Sequence, residues 1–250
     1  MTKGDWAVVV GATGALGAAV SQVLAADGWN VLLGYGRQET AAQALAEELQ
    51  GLGVDADQVS VDLASEAGAE ALTEAVAERP VRSFVYAAGP HVPQAYVAQI
   101  EPAQYRDQLV VESVGFFTTL RALLPRLREN GGSVVALTSA ALRKHPPRDV
   151  LGVAPKAAIE ALVRATAVEE GRFGIRANSV AVGMIDAGIT TRLIESGDLP
   201  PTAMEQVRRA LPLKRFGTPT DIADVVAFLV SDRSAFVTGQ SIAVDGGGSV

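Results

Sequence analysis

The sequence predicts an α/β protein whose parallel sheet is covered by helices on both faces. Strand-like apolar runs alternate with segments of helical spacing along the 250 residues, as expected when a helix joins each strand to the next. The strand-like runs are continuously apolar, which is typical of strands buried on both faces of a parallel sheet with right-handed crossovers. Because no linker, repeat or low-complexity segment interrupts this alternation, we predict a single domain spanning residues 1–250.

Each predicted strand is a short apolar run, and each predicted helix has apolar residues at helical spacing. The predicted strands are Trp6–Val10, Val31–Gly34, Val59–Asp62, Ser83–Ala87, Ser133–Ser139 and Arg176–Ala181. The predicted helices are Ala15–Asp27, Glu39–Gln50, Glu66–Glu78, Pro102–Glu129 and a segment around residues 156–162. Ser139 at a strand end and Lys156 on the next helix are expected to face one crevice, which suits chemistry on a bound cofactor.

The composition narrows the possible partners and location. A net charge of −7 argues against nucleic acid or an anionic membrane as a partner. The absence of cysteine excludes disulfides and thiolate metal sites, and the two histidines form no ligand cluster, so we expect no metal. The sequence contains no run of eighteen apolar residues, so we expect no membrane span. Residues 1–5 lead straight into a predicted strand, so we expect no signal peptide. We therefore expect a cytoplasmic protein.

A glycine-rich turn follows the first predicted strand and opens the first helix. It reads Gly11-Ala12-Thr13-Gly14-Ala15-Leu16-Gly17. Glycine at such a turn lets backbone N–H groups approach a pyrophosphate at the positive end of the helix. The turn predicts a dinucleotide site in a Rossmann-type, doubly wound sheet, with Gly11, Thr13, Gly14, Leu16 and Gly17 as cofactor contacts. The alternative is a tight turn whose small residues serve packing alone.

Residues after the second and third predicted strands indicate which dinucleotide binds. Gly34-Tyr35-Gly36-Arg37 has no acid where NAD sites usually hold the ribose, and Arg37 could pair bidentately with a 2′-phosphate. We therefore predict NADP(H), with NAD(H) less favoured; in the alternative, Arg37 is a solvated residue at a helix start. Asp62 could bind the adenine edge, with Leu63 beside it, or could cap the following helix.

The end of the fourth predicted strand lies beside the ribose and nicotinamide in such a fold. Ala88 and Gly89 are therefore predicted cofactor contacts. His91, His145 and Tyr86 are candidate proton donors, although a surface position is the plainer interpretation of both histidines.

The C-terminal third carries the most specific motifs. They are Pro212-Leu213-Lys214-Arg215-Phe216-Gly217, Asp221-Ile222-Ala223, Phe228-Leu229-Val230-Ser231, Thr238-Gly239-Gln240 and Val244-Asp245-Gly246-Gly247. With them the whole chain resembles the short-chain dehydrogenase/reductase family, in particular single-domain members such as 3-oxoacyl-carrier-protein reductases. The resemblance implies a seven-stranded sheet in the order 3-2-1-4-5-6-7. It also implies a homo-oligomer, a tetramer or dimer, although a hetero-oligomer remains an alternative.

The resemblance implies a catalytic set of Asn, Ser, Tyr and Lys, of which this sequence keeps half. Ser139 matches the serine, and Lys156, seventeen residues later, matches the lysine. The tyrosine position, four residues before the lysine, is Gly152, and the asparagine position is Glu112. Enoyl reductases of the family place tyrosine seven residues before the lysine, where this chain has Asp149. Glycine at 152 should leave a space where a phenol would stand.

The missing phenol favours some reductions over others. Losing one positioned general acid costs about 10²–10⁴ in the rate of carbonyl reduction. Conjugate reduction of an enone or enoyl thioester gives an enolate, which Ser139 and Lys156 could stabilise as hydrogen-bond donors. We therefore predict an atypical NADP(H)-dependent oxidoreductase. The alternative is a catalytically silent subunit that binds cofactor or pairs with an active relative.

The segment at about residues 185–211 resembles the family's substrate-covering segment. Gly183 and Ile185, at its start, are predicted cofactor contacts. Its apolar residues could line a pocket for a small apolar substrate, such as a thioester or polyketide-like compound, or could belong to the core. These residues are Met184, Ile185, Ile189, Leu193, Ile194 and Leu199.

Overall fold

A seven-stranded parallel sheet forms the centre of the structure, a computed structural model that describes residues 4–90, 92–188 and 201–250. The strands are β1 (Trp6–Val10), β2 (Asn30–Tyr35), β3 (Ala56–Ser60), β4 (Val81–Tyr86), β5 (Gly132–Ser139), β6 (Ile175–Val182) and β7 (Ser241–Val244). Their order is β3-β2-β1-β4-β5-β6-β7, and each neighbouring pair is parallel. The predicted fold class and strand order are confirmed.

Helices cover both faces of the sheet. They are α1 (Ala15–Ala26), α2 (Glu39–Gln50), α3 (Glu66–Ala75), α4 (Pro102–Leu109), α5 (Gly115–Asn130), α6 (Ala141–Lys144), α7 (Val150–Glu170), α8 (Pro201–Ala210) and α9 (Pro219–Val230). Alternate residues of each strand point to opposite faces, so Ala7 and Val9 pack in one apolar core with α1, α2 and α9. Val8 and Val10 pack in the other core, with α3, α5 and α7. No helix in the described ranges is long and apolar enough to cross a membrane.

The third strand and the long helix after β4 differ most from their predictions. The third strand is Ala56–Ser60, not Val59–Asp62, because it is an edge strand paired only with β2 and tolerates the polar residues Asp57 and Gln58. The predicted helix Pro102–Glu129 is interrupted by one π-helical turn, Val110–Val114, between α4 and α5. Such turns are frequent at functional sites. Here the turn carries the buried Glu112.

Candidate active site

The glycine turn lies at the carboxyl edge of the sheet, between β1 and α1. Gly11 has a positive φ of 86°, and a Cβ there would lie 2.6 Å from the backbone nitrogen of Ala88. A Cβ on Gly17 would lie 2.2 Å from the carbonyl oxygen of Gly11. Close backbone packing therefore suffices to explain these two glycines, which agrees with the alternative that the small residues of the turn serve packing alone.

The N-terminus of α1 has the properties of an anion site. Gly14, the residue before the helix, is exposed and offers no capping side chain, and the first turn contains no acid. The first N–H groups of α1 are therefore free to meet a phosphate, which the helix dipole also favours. Thr13 and Leu16 are half-buried beside this end. The residues present fit the pyrophosphate of a dinucleotide.

Arg37 and Asp62 follow β2 and β3 on the same edge of the sheet. Arg37 is exposed just beyond the end of β2. Asp62 is exposed, and its Oδ1 accepts a hydrogen bond from the N–H of Ala64 at 3.0 Å, which forms a turn. It does not cap α3, whose N-cap residue is Ser65. Leu63 packs against α5, because a Cβ placed on Gly115 would lie 2.9 Å from the Cβ of Leu63.

Lys156 projects from α7 into a buried polar cluster. Its Nζ lies 2.8 Å from Oε2 of Glu112 and donates a hydrogen bond to the carbonyl oxygen of Ala88 at 3.2 Å. Glu112 is only 1% exposed, and its Oε1 accepts a hydrogen bond from Nε2 of Gln108 at 2.8 Å. Because an ammonium has three N–H groups, one of them remains to meet a ligand.

Tyr86 lies beneath this cluster and does not enter the space at Gly152. It is fully buried, and its hydroxyl donates to the backbone carbonyl of Glu112 at 3.0 Å. Burial, together with the negative charge of Glu112, raises the pKa of Tyr86 well above its ordinary value. His145 is exposed at the end of α6, and His91 lies outside the described residues.

Ser139 ends β5 at the same sheet edge. It is half-buried, and its Oγ accepts a hydrogen bond from the N–H of Ala141 at 3.2 Å. The hydroxyl proton is therefore available for donation to a substrate oxygen. β5 is the neighbour of β4, and the chain just after β4 supplies Ala88, which Lys156 contacts.

The space at Gly152 holds a carboxylate, so the expectation of an open space is wrong. A Cβ on Gly152 would lie 2.7 Å from Oδ1 of Asp149 and 3.6 Å from Val92. Asp149 precedes α7 and accepts a hydrogen bond from Nε2 of Gln94 at 3.2 Å. Burial raises the pKa of Asp149; the Gln94 hydrogen bond opposes the shift, and the negative charge of Glu112 adds to it.

The segment after β6 begins with two predicted cofactor contacts. Gly183 packs against β7, where a Cβ would lie 2.5 Å from Cα of Asp245. Ile185 is buried in the core on the α1 side of the sheet, so its side chain serves packing. Gly188 approaches α1, with a Cβ position 3.7 Å from that of Ala15. The candidate pocket residues Ile189, Leu193, Ile194 and Leu199 lie outside the described residues.

Comparison with known proteins identifies the class. The family model described as enoyl-(acyl carrier protein) reductase matches residues 11–249. A 3-oxoacyl-(acyl-carrier-protein) reductase from Staphylococcus epidermidis is 33% identical over 244 residues, which cover 96% of this chain and 97% of that protein. A 1-cyclohexenylcarbonyl-CoA reductase from Streptomyces collinus is 32% identical, with 97% and 86% covered. The structure of an actinorhodin polyketide ketoreductase variant with NADPH superposes with a TM-score of 0.90, at 27% identity over 98% of this chain and 97% of that chain.

These matches extend over almost the whole chain and agree with the sheet order. The protein therefore belongs to the short-chain dehydrogenase/reductase family, a family of oxidoreductases.

Proposed function

We propose that the protein is an NADP(H)-dependent oxidoreductase that reduces an enone, enoyl or carbonyl group of an apolar substrate without a catalytic tyrosine. The observation that carries the proposal is the arrangement at the sheet edge. Lys156 and Ser139 are retained as donors, whereas position 152 has no side chain and Asp149 lies against it. We propose the carbon–carbon double bond as the preferred target, because an enolate needs hydrogen-bond donors more than immediate protonation.

The cofactor assignment rests on three parts of the chain. The exposed N-terminus of α1 fits the pyrophosphate, Arg37 is exposed where a 2′-phosphate would lie, and the third N–H of Lys156 is available for a ribose hydroxyl. When bound, NADPH would supply the hydride. The NADPH in a structural neighbour supports this choice, and we propose NAD(H) as the weaker ligand.

We propose a small thioester or polyketide-like compound as the substrate. Relatives are named for acyl-carrier-protein and CoA thioesters, and a structural neighbour is a polyketide ketoreductase. We further propose that residues 1–250 form one domain, that the protein acts in the cytoplasm, and that it assembles as a homo-oligomer.

The test has a binding step and a turnover step. NADPH is titrated by its fluorescence, and its oxidation is then followed with an enone thioester and with a saturated ketone thioester of the same chain length. We expect binding, and faster oxidation with the enone. Faster oxidation with the ketone would refute the preference for the double bond, and absence of binding would refute the cofactor assignment.

The second candidate is a catalytically silent subunit that binds cofactor or pairs with an active relative. The specific observation in its favour is the ion pair between Lys156 and the buried Glu112, which engages the ammonium that catalysis would use. NADPH binding without oxidation on either thioester would support this candidate over the reductase.

A further inference from the structure

We propose that Asp149 is the proton donor of this site and takes the place that a tyrosine at position 152 would occupy. The inference rests on the proposed reductase function and deepens it. It assigns the catalytic role to a carboxyl group and not to a tyrosine.

The first support is the position of the carboxyl group. The carbonyl oxygen of Asp149 accepts hydrogen bonds from the N–H groups of Gly152 and Val153, at 3.0 and 2.9 Å, which fixes Asp149 one turn before Gly152. Side chains on a helix lean toward its N-terminus, so a phenol at 152 would extend over that turn. Oδ1 of Asp149 already lies 2.7 Å from the Cβ position of residue 152. A side chain at position 152 would therefore meet this carboxyl group at its first carbon, and glycine leaves that space to Asp149.

The second support is the set of groups around the carboxyl. The neutral Gln94 donates a hydrogen bond to it from the segment after β4, and Val92 of the same segment borders the Cβ position of residue 152. Glu112 acts on it from the π-helical turn with a negative charge, and Lys156, the cation beside Glu112, is already paired with Glu112. Arg148 precedes Asp149, but its Nη2 is directed to the carbonyl oxygen of Gln94 at 2.9 Å. Burial and a like charge both favour the protonated carboxyl, which is the form that can donate a proton.

The step balances without a further reactant. Hydride addition to the β-carbon of the enone moves one electron pair to the carbonyl oxygen and gives an enolate. The O–H bond of Asp149 then breaks, and its proton forms a bond to the enolate. Asp149 is left as a carboxylate, which water reprotonates after the product leaves. In a carbonyl reduction the same proton would go to the alkoxide oxygen.

The test compares Asp149→Asn with Asp107→Asn, which removes an exposed carboxylate from α4. Asparagine keeps the size of the side chain and can keep the contact with Gln94, but it has no acidic proton. We expect Asp149→Asn to lower kcat/KM with the ketone thioester by about 10²–10⁴, to lower it less with the enone thioester, and to leave NADPH affinity within about twofold. In the pH profile of the wild type, kcat/KM should fall as pH rises and Asp149 loses its proton. This fall should be absent from the pH profile of Asp149→Asn. Asp107→Asn should match the wild type.

A second measurement does not depend on turnover. Carbon-13 NMR of the carboxyl groups, with the Asp149 signal identified by its loss in Asp149→Asn, should show titration above the ordinary aspartate range. Should Asp149→Asn fail to fold, the signal is identified with Asp149→Glu, which should also retain a proton donor and part of the rate. A carboxyl that titrates in the ordinary range, or an unchanged pH profile in Asp149→Asn, overturns the proposal while the reductase function stands. A wild type that binds NADPH but reduces no thioester overturns both.

Discussion

The ion pair between Glu112 and Lys156 gives the sharpest test of the site's energetics. Glu112→Gln keeps the size of the side chain and an oxygen for Gln108, but it turns an amide toward an ammonium 2.8 Å away. Removing one partner of a buried ion pair costs about 3–5 kcal/mol. Lys156 is 13% exposed and keeps its hydrogen bond to Ala88, so we expect about 3 kcal/mol.

The control is Glu129→Gln, the same substitution in a pair of the same length on the surface. Glu129 lies 2.8 Å from Arg126 and is 57% exposed, so its loss should cost about 0–1 kcal/mol. The free energy of unfolding of each variant is measured by urea titration at one pH and salt concentration. Equal losses in the two variants would refute the inference that burial makes the Glu112 pair important.

Three further predictions concern the glycine turn, the cofactor and pH. Gly17→Ala should lower the free energy of unfolding by about 2–3 kcal/mol, because its Cβ would clash with the carbonyl oxygen of Gly11. The Cβ of Gly14→Ala would lie 3.4 Å from that oxygen, so this variant should unfold in urea like the wild type but bind NADPH more weakly. Arg37→Gln should reduce the preference for NADPH over NADH about tenfold, as measured by fluorescence titration. The Arg128 guanidinium lowers the pKa of Glu170 from its ordinary 4.5, so that pair stabilises the fold above this pH. R128M should be less stable to urea than the wild type near neutral pH, and this difference should shrink as pH falls below 4.5 and Glu170 becomes protonated.

The sheet could be predicted because its strands are buried on both faces. Trp6–Val10 is apolar at every position, and the structure divides alternate residues between two cores. The edge strand β3 was misplaced because only one side of it is paired, so its polar residues broke the apolar run. Apolar patterns therefore located the strands at the centre of the sheet better than the strand at its edge.

The candidate site was predictable in position but not in its contacts. The spacing from Lys156 located Gly152 and Glu112, yet no sequence rule pairs Glu112 with Lys156 across two distant helical segments. Asp149 stands at the tyrosine position of enoyl reductases, and its contact with Gly152 had a further signal, because residues three apart on a helix share a face. That signal depends on where α7 begins, and helix ends are the least certain part of a sequence prediction.

The most direct measurement is a single-turnover reaction of the wild type with bound NADPH and an enone thioester. We expect the fluorescence of bound NADPH to decay as the double bond is reduced, although position 152 carries no phenol. Bound NADPH that remains unoxidised across a panel of enone and ketone thioesters would contradict the assignment of a working reductase.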